Sequence, residues 1–444
     1  MKPVLTAAAS SFLAIVWAAE PPRTEITQWQ DGKQACVSLT FDDSSINQFR
    51  INMPLLNERG LRGTFFIITG GIQGSRNKPA FAGRPMMDII RESATVPTTE
   101  RNLLERTSLL NHLKTVQRAE AIRDFSAQSL GRLLRQAKYE ELAKTVDGFL
   151  AKLRESGANY TVRDPDTPRG DRRYTITWDE LRRHAAEGHE FANHSITHPY
   201  MPALDEANIA YELEKSTEDI REQLGPRHTF SVEAPYGIDD QRVRPAVASR
   251  FPLTRNWVSD SFMDGILRGD SRDPSKTTKQ YMQWQRGPAA TTPLDTMKGW
   301  VDTSLAHGIW LVLVFHGVEG IGYEALPTEI VRAYFDYIRA NEARLWVATY
   351  QEGAKYARER VNSTVDTRIA GEAIEVSVKH SLDPKLYDVP LTARTTIPAD
   401  WKIAQLRQGA EVRWLPIHRG ESGPFVLYRI AADGKPAVIE KAAN

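Results

Sequence analysis

The sequence lacks several features that would assign it to a functional class at once. Of its 444 residues only Cys36 is a cysteine, which excludes an intrachain disulfide and a metal cluster built from thiolates. Lysine plus arginine (57) and aspartate plus glutamate (56) nearly balance, so the net charge of +1 gives no sign of a nucleic-acid partner or a polybasic membrane patch. There is no internal repeat. The remaining composition is that of a globular protein long enough for two or more domains.

The N-terminus has the pattern of a secretory signal peptide, which we predict over residues 1–18. Lys2 supplies the positive start, an apolar stretch runs from Val4 to Trp17, and small residues offer cleavage after Ala18. The stretch is too short to span a bilayer comfortably, which favours a cleaved signal over a membrane anchor or a disordered start. We therefore expect an exported protein of a bacterial periplasm, a cell surface or the extracellular space.

Apolar strands alternate with amphipathic helices over two stretches, 19–70 and 175–361. The runs from Ala35 to Phe41 and from Ile309 to Phe315 predict buried strands. A helix predicted over Asp205–Leu224 carries an apolar stripe and ends at Gly225. This alternation indicates an α/β protein with a parallel sheet, either open or closed into a barrel.

Two segments break the rhythm of strands and helices. Residues 71–174 carry leucines near helical spacing, which predicts a helical insertion that is either a packed structural hairpin or a lid near a functional site. Residues 362–444 alternate apolar and polar positions in short runs separated by Gly, Pro and Asp, which predicts a small antiparallel β domain. Carbohydrate binding and a docking or stabilising role are both open for that domain.

Two short motifs contain the residue types of a hydrolytic metal site. Asp42 and Asp43 end the first predicted strand, and His194 and His198 stand four residues apart after another. Histidines at this spacing can face one side of a helical turn and bind one ion, and a carboxylate from elsewhere completes three ligands while leaving a position for water. A second carboxylate can take the proton of that water. By itself the Asp pair would also suit a helix cap.

These motifs and two later ones resemble those of the polysaccharide deacetylases of carbohydrate esterase family 4. The matching segments, in the family's order, are 40–43, 194–198, 234–237 and 313–316. The resemblance implies a distorted (β/α) barrel and metal-dependent removal of acyl groups from a polysaccharide. We therefore expect an α/β fold: a distorted (β/α) barrel with a helical insertion and a small C-terminal antiparallel β domain.

The resemblance also implies roles for single residues. Asp42 is expected to be the general base, and His316, at the end of an apolar strand, the general acid. The backbone N–H of Tyr236 is expected to help bind the oxyanion, with Pro235 beside it in the substrate site. The expected metal ligands are Asp43, His194 and His198, with Zn²⁺ as the ion.

Glu233 departs from the family pattern. The family has an arginine at this position, which pairs with the base, so the sign of the charge is reversed here. Glu233 can either turn to a local cation such as Arg227 or Arg255, or face the site and raise the pKa of Asp42. We expect the first arrangement, because a buried unpaired carboxylate is unfavourable.

The family's Asp-rich fourth motif is not clear in this sequence. Asp260 or Asp264 is expected to orient His316, and Trp257 to line the cleft. The hypothesis is an exported, metal-dependent deacetylase of an N-acetylated glycan such as chitin oligomers, peptidoglycan or poly-N-acetylglucosamine. One alternative is an O-acetyl esterase of xylan-like polymers, which would use the same residues. The other is a non-catalytic glycan- or partner-binding relative, which the reversed charge at Glu233 favours.

Overall fold

The computed structural model describes residues 21–136, 138–157, 176–237, 241–255 and 283–442. They form two compact units, each treated separately here. The barrel unit comprises Gln28–Asn362 and Leu382–Val389, and the β unit comprises the chain up to Thr27, Ser363–Ser381 and the chain from Pro390. Among the described helices, none is long and apolar enough to cross a membrane. The predicted signal peptide at 1–18 lies outside the described residues.

The strands are numbered along the chain. They are β1 (Thr24–Ile26), β2 (Ala35–Phe41), β3 (Gly63–Ile67), β4 (Glu190–Asn193), β5 (Ser231–Val232), β6 (Leu253–Thr254), β7 (Gln283–Arg286), β8 (Trp310–Phe315), β9 (Leu345–Val347), β10 (Thr364–Ala370), β11 (Ala373–Lys379), β12 (Leu391–Thr396), β13 (Ala404–Gln408), β14 (Glu411–Leu415), β15 (Ile417–Gly420), β16 (Gly423–Ile430) and β17 (Asp433–Lys441).

The helices are numbered in the same way. They are α1 (Met53–Glu58), α2 (Met86–Glu92), α3 (Leu103–Thr115), α4 (Ala127–Arg135), α5 (Tyr139–Glu155), α6 (Trp178–Ala186), α7 (Glu206–Leu224), α8 (Val243–Ala248), α9 (Leu294–His307), α10 (Thr328–Ala340) and α11 (Tyr350–Asn362). A π-helical turn, Gln48–Asn52, leads directly into α1. Short 3₁₀ turns occur at Gln30–Gly32, Thr69–Gly71, Glu120–Ile122, Met201–Ala203, Pro226–Thr229 and Pro235–Gly237.

The barrel unit is built on a parallel sheet with the strand order β6-β5-β4-β3-β2-β8-β7, and β9 pairs with the first half of β2. The central strand β2 is buried along its whole length, which is why it reads as a continuous run rather than an alternating one. In the register of the sheet, Phe41 lies beside Phe65 on one side and Phe315 on the other. The residues that follow β2 and β8 therefore emerge next to each other at the carboxyl edge.

The two outer strands of this sheet are linked by side chains. Gln283 and Gln285 of β7 donate amide hydrogen bonds of 2.9 and 2.6 Å to the carbonyl oxygen of Arg255, the residue after β6. The parallel strands with their intervening helices and this contact between the ends of the sheet confirm the predicted distorted (β/α) barrel.

Aromatic rings fill the core below the site. The ring of Phe41 stacks on Phe65 and Phe315, with centroids 4.6 and 5.2 Å apart. This packing holds the carboxyl edge of the sheet in place.

The start of α6, one of the helices of the barrel unit, is determined by local sequence. Thr177 and Glu180 form a capping box there, because each side chain bonds the other's backbone N–H.

The predicted helical insertion is confirmed as α2 to α5, which bury a hydrophobic cluster of their own, including Leu110 and Leu150. The insertion is tied to the barrel before α7, where the Thr107 hydroxyl donates to Ala203 O at 2.6 Å and the Asp205 N–H donates to Ser108 Oγ at 2.8 Å. Its last part, beyond residue 157, lies outside the described residues.

The β unit contains two antiparallel sheets, with orders β1-β12-β16-β15 and β10-β11-β17-β13-β14. The predicted antiparallel β architecture is confirmed. Two segments belong to a different unit from the one predicted from composition. Thr24–Ile26 was predicted to belong to the barrel, but it pairs with β12 of the β unit. Leu382–Val389 was predicted to belong to the β domain, but it is part of the barrel unit. Pairing between distant segments produces both differences, and local composition carries no signal of it.

Candidate active site

The two aspartates after β2 reach the same cleft, as the sequence predicts. Asp43 adopts a left-handed backbone conformation (φ 74°), so the chain turns sharply where the strand ends. Both carboxylates line a cavity of about 810 Å³ at the carboxyl edge of the sheet, together with His194, His198 and His316. That position is the usual place for chemistry in a barrel of parallel strands.

Asp43, His194 and His198 converge on one point. The Nε2 atoms of His194 and His198 lie 3.4 and 3.1 Å from Asp43 Oδ1. His194 Nδ1 lies 2.7 Å from the backbone carbonyl of Glu233 and donates to it, which leaves Nε2 as the free ligand atom. Burial by itself would raise the pKa of the Asp43 carboxyl, but the two imidazoles, where they are protonated at Nε2 in place of binding a cation, hold it well below its usual value.

The two histidines are brought together by a loop, and the expected helical turn is wrong. Residues 194–198 have no helical structure, and Ser195 and His198 both adopt positive φ, at 67° and 59°. Non-glycine residues in this region are strained, and such strain persists only where the surroundings hold it. Asn193 contributes by accepting the Ser195 N–H at 2.7 Å and donating to Leu213 O of α7 at 3.0 Å.

Glu212, on α7, is the main support of this loop. Its carboxylate accepts the backbone N–H groups of Ile196 and Thr197, both at 2.9 Å, and the Thr197 hydroxyl at 2.6 Å. Glu212 was not among the predicted site residues. A carboxylate beside Leu213 on the buried face of an amphipathic helix was the signal that could have revealed it, because such a group must find hydrogen-bond partners.

Asp42 is buried and paired with Arg255. The guanidinium donates to both carboxylate oxygens, at 2.7 and 2.5 Å, and to the Thr40 hydroxyl at 2.9 Å. Burial by itself would raise the pKa of Asp42, but the charge and hydrogen bonds of Arg255 outweigh it, so the pKa lies below its usual value. Arg255 therefore takes the place of the arginine that the third motif lacks.

Glu233 turns to Arg255, one of the two local cations predicted for it. Its Oε2 lies 3.4 Å from Arg255 Nε, on a different edge of the guanidinium from the one that holds Asp42. Arg227, the other predicted cation, lies at the surface 3.5 Å from Glu352. Asp42 and Glu233 thus share one arginine, and the two negative charges are bridged rather than opposed.

His316 follows β8 and lies near Asp42. Its Nε2 lies 3.7 Å from Asp42 Oδ2. The amide of Gln48 donates to the carbonyls of both Asp42 and His316, so one side chain joins the two strand ends. Gln48 was not among the predicted site residues, since nothing in its local sequence indicates a contact with a strand so far along the chain.

The loop with Pro235 and Tyr236 closes another side of the cavity. Tyr236 has φ 63°, and its ring lies 4.7 Å from that of His198 between centroids. Pro235 is buried. The backbone N–H of Tyr236 remains a predicted oxyanion donor.

Comparison with known proteins points to one family for part of the chain. Residues 148–253, which include His194 and His198, match the model of the family described as polysaccharide deacetylase. This segment is similar to the polysaccharide deacetylases. A chitooligosaccharide deacetylase from Bradyrhizobium sp. (strain ANU 289) is 37% identical over 83 residues, which are 18% of this chain and 36% of that protein. One from Sinorhizobium fredii is 30% identical over 80 residues, 18% of this chain and 37% of that protein.

The chain thus spans little more than a third of the length of these curated relatives. Among solved structures, a family 4 carbohydrate esterase from Streptomyces lividans in complex with acetate superposes with a TM-score of 0.32 at 14% identity, covering 71% of this chain and 93% of that one. The barrel assignment stands on the strand order and parallel pairing described above.

The donor atoms of the candidate site fit a divalent cation. One carboxylate oxygen and the imidazole nitrogens of His194 and His198 lie within 4.8 Å of one another, which is a typical ligand set for Zn²⁺ at a catalytic site. The side chains of Asp43 and His198 are 29% and 20% exposed, so the site is open to the cleft. The predicted residues Trp257, Asp260 and Asp264 lie outside the described residues.

Proposed function

We propose that this protein is a metal-dependent hydrolase that removes acetyl groups from an N-acetylated polysaccharide, such as chitin oligomers, peptidoglycan or poly-N-acetylglucosamine. The observation that carries the proposal is the position of Asp42, which is bonded to Arg255, lies 3.7 Å from His316 and precedes the Asp43 of the Asp43–His194–His198 cluster. A base, an acid and a metal-binding set around one cavity are the groups that amide hydrolysis requires.

Each residue has a definite task in this proposal. Asp43, His194 and His198 would hold the cation, and a bound divalent metal, with Zn²⁺ expected, supplies Lewis acidity at the acetyl carbonyl. Asp42, kept ionised by Arg255, takes a proton from the attacking water as the new C–O bond forms.

The remaining steps use the other residues of the cavity. The Tyr236 N–H donates to the carbonyl oxygen as it becomes negative. His316 gives a proton to the amine nitrogen as the C–N bond breaks, because an unprotonated amine is a poor leaving group. The products are acetate and a glucosamine-type sugar.

Arg255 also bears on the non-catalytic alternative. The hypothesis of a non-catalytic relative was favoured by the reversed charge at Glu233, because the predicted base, Asp42, then lacked the arginine that pairs with it in the family. Since Arg255, the residue after β6, supplies the cation, the departure at Glu233 no longer argues against catalysis. An O-acetyl esterase remains the second candidate, because the same base, acid and metal-binding residues would serve it.

The test is acetate release from a panel of N-acetylated and O-acetylated glycans, before and after chelation. We expect release from the N-acetylated members, loss on chelation and recovery with Zn²⁺. Asp42→Asn should retain metal but lose turnover on the order of 10²–10⁴-fold, as for a lost general base. Asp43→Asn should lose both metal and turnover. Full activity of the metal-free protein would refute the proposal, and release only from O-acetylated glycans would favour the esterase.

We further propose that the protein is exported and that residues 1–18 are removed, on the basis of the signal-like N-terminus. N-terminal sequencing of the mature protein from fractionated cells tests this. A mature chain that still begins at Met1 in the cytoplasmic fraction would refute it.

A further inference from the structure

The loop of residues 317–326, here the Tyr323 loop, follows His316 and is closed on itself. The Gly317 N–H donates to Tyr323 O at 2.7 Å, and the Leu326 N–H donates to Gly317 O at 3.2 Å. A Cβ atom at Gly317 would lie 2.6 Å from Ile321 O, so only glycine permits this close approach. The loop is therefore compact and internally bonded.

The Tyr323 loop is also anchored to the chain that follows β2. The Ser45 hydroxyl donates to Ile321 O at 3.1 Å, and the Asn47 amide donates to Val318 O at 3.1 Å. These bonds attach it to the segment that carries Asp42 and Asp43. Hydrogen bonds within the loop and hydrogen bonds to Ser45 and Asn47 thus set the position of Tyr323 relative to Asp42 and Asp43.

This internally bonded loop exposes the ring of Tyr323 to solvent. Tyr323 is 65% exposed, yet its side chain lines the cavity of the candidate active site. Its ring stands nearly perpendicular to that of His316, with centroids 5.3 Å apart. Exposed apolar surface that a structure holds fixed beside a functional cleft is typical of a ligand-binding surface.

From these contacts we infer that Tyr323 is a stacking platform for a pyranose ring of the substrate. A pyranose presents an apolar C–H face and a polar rim, which matches an exposed tyrosine ring with its hydroxyl at the edge. Gln128, from α4 of the insertion, lines the same cavity and offers an amide to sugar hydroxyls. The inference rests on the proposed function, because it assigns the substrate class of that same site.

The experiment compares Tyr323→Leu and Tyr323→Phe with the unchanged protein on N-acetylated chito-oligosaccharides. Tyr139→Leu is the matched control, because Tyr139 is also an exposed tyrosine (42%) but does not line the cavity. We expect Tyr323→Leu to raise KM on the order of 2- to 10-fold, the range of an aromatic contact, with kcat little changed. Tyr323→Phe and Tyr139→Leu should both match the unchanged protein.

Three outcomes of the kinetic comparison would overturn the inference. They are an unchanged KM in Tyr323→Leu, an equal loss in Tyr323→Phe, and a fall in kcat with a shifted pH profile, which would mean that Tyr323 acts through His316. Calorimetric binding of the oligosaccharides in an Asp42→Asn background separates this inference from the proposed function. Binding that needs Tyr323, together with no acetate release by the protein that keeps Asp42, would retain the platform and refute the deacetylase. No binding to the protein with Tyr323 intact would refute the platform.

Discussion

At the scale of single residues, the central arrangement is a carboxylate held ionised in a buried place. Asp42 is 3% exposed, and a lone carboxyl there would be protonated near neutral pH. Arg255 prevents this with hydrogen bonds to both oxygens. In the proposed mechanism, the pH range in which Asp42 acts as a base is therefore set by Arg255, the residue that follows β6.

The first prediction concerns Arg255→Ala. The pKa of Asp42 lies below its usual value because Arg255 outweighs burial, so removing the arginine leaves burial to raise it. Asp42 would then be ionised only at higher pH, and the acidic limb of the pH dependence of kcat/KM should move to higher pH. The measurement is that profile, with circular dichroism to establish that the variant is folded.

Three further variants control this prediction. Arg255→Lys keeps the charge but not the paired hydrogen bonds. The acidic limb of its pH profile should therefore lie between those of the unchanged protein and Arg255→Ala. Arg227→Ala removes a surface arginine and should leave the limb unchanged. Glu233→Gln should also leave it in place, since Glu233 faces the Nε edge of Arg255. An unmoved limb in folded Arg255→Ala would contradict the role of Arg255.

At the scale of elements, α7 determines the shape of the histidine loop. Both strained positions, Ser195 and His198, lie in a loop whose N–H groups are bonded to the Glu212 carboxylate. The helix itself is fixed by the Asp205 cap at its start and by Gly225 (φ 91°) at its end. The candidate metal-binding cluster is therefore supported by a helix that contributes no residue to the lining of the cavity.

The second prediction follows from this support. Glu212→Ala should lower the affinity for the metal on the order of 10- to 100-fold, as losing an outer support of metal ligands does, while the barrel stays folded. Competition with a metal-binding dye measures the affinity. Glu214→Ala, on the same helix but bonded to Arg250 at the surface, is the matched control. Equal metal affinity in the two variants would exclude a supporting role for Glu212.

Two buried histidines hold the strands beside the site. The Gly63 N–H donates to His189 Nδ1 at 3.1 Å, and the Phe191 N–H donates to His228 Nδ1 at 3.0 Å. Both rings are therefore neutral at Nδ1, and burial lowers the pKa of each to about 4. Protonating either ring would remove the acceptor of a backbone N–H at a strand.

The third prediction is a loss of stability in acid. The unfolded chain takes up protons at the usual histidine pKa of about 6.5, while these folded residues do so only near 4. The free energy of unfolding should be unaffected by them above about 6.5 and should fall as the pH drops toward 4, on the order of 3 kcal/mol for each.

Urea denaturation at several pH values measures this loss. His228→Asn, which keeps a side-chain acceptor without the titration, should show a flatter dependence. His307→Asn, at an exposed position, should behave like the unchanged protein. Parallel curves for His228→Asn and the unchanged protein would contradict the prediction.

At the scale of the whole molecule, the barrel unit recruits a segment from beyond α11. Tyr387 is 6% exposed and packs edge to face with Phe230, with centroids 5.7 Å apart. Asp388 pairs with Lys355 at 3.0 Å, and the Val389 N–H donates to Glu359 at 3.0 Å. A barrel cut at the end of α11 would lose this cover.

The fourth prediction concerns truncation after Asn362. The truncated protein keeps Asp42, Asp43, His194, His198 and His316, so the folded fraction should still release acetate from short soluble oligomers. Its stability should fall, because Phe230 and Glu359 lose their partners. Tyr387→Ala in the full chain should reproduce much of the loss, on the order of 3 kcal/mol.

Thermal unfolding measures the loss of stability. Leu386→Ala, at an exposed neighbour, should change little. Equal midpoints for the truncated and full proteins would show that Leu382–Val389 is dispensable.

The strongest local patterns predicted their elements closely. Ala35–Phe41 was expected as a strand and is β2 without change, and β8 differs from its prediction by one residue, because long apolar runs buried on both faces leave a clear signal. The strands β5 and β6 have two residues each and were not predicted. Segments so short carry no periodicity, and they exist only because neighbouring strands pair with them.

The sequence by itself determined the parallel sheet, the helical insertion, the β domain and the motif residues, since each rests on a local pattern or a spacing. The closure of the sheet into a barrel was implied only by the resemblance to a family. The sequence also determined that Glu233 needs a cation. Only the tertiary structure decided that this cation is Arg255, that the same guanidinium holds Asp42, and that Glu212 supports the histidine loop. The physical reason is that these contacts join residues far apart in the chain. The register of the parallel sheet and the packing of α7 bring these residues together, and no single segment of the sequence predicts either one.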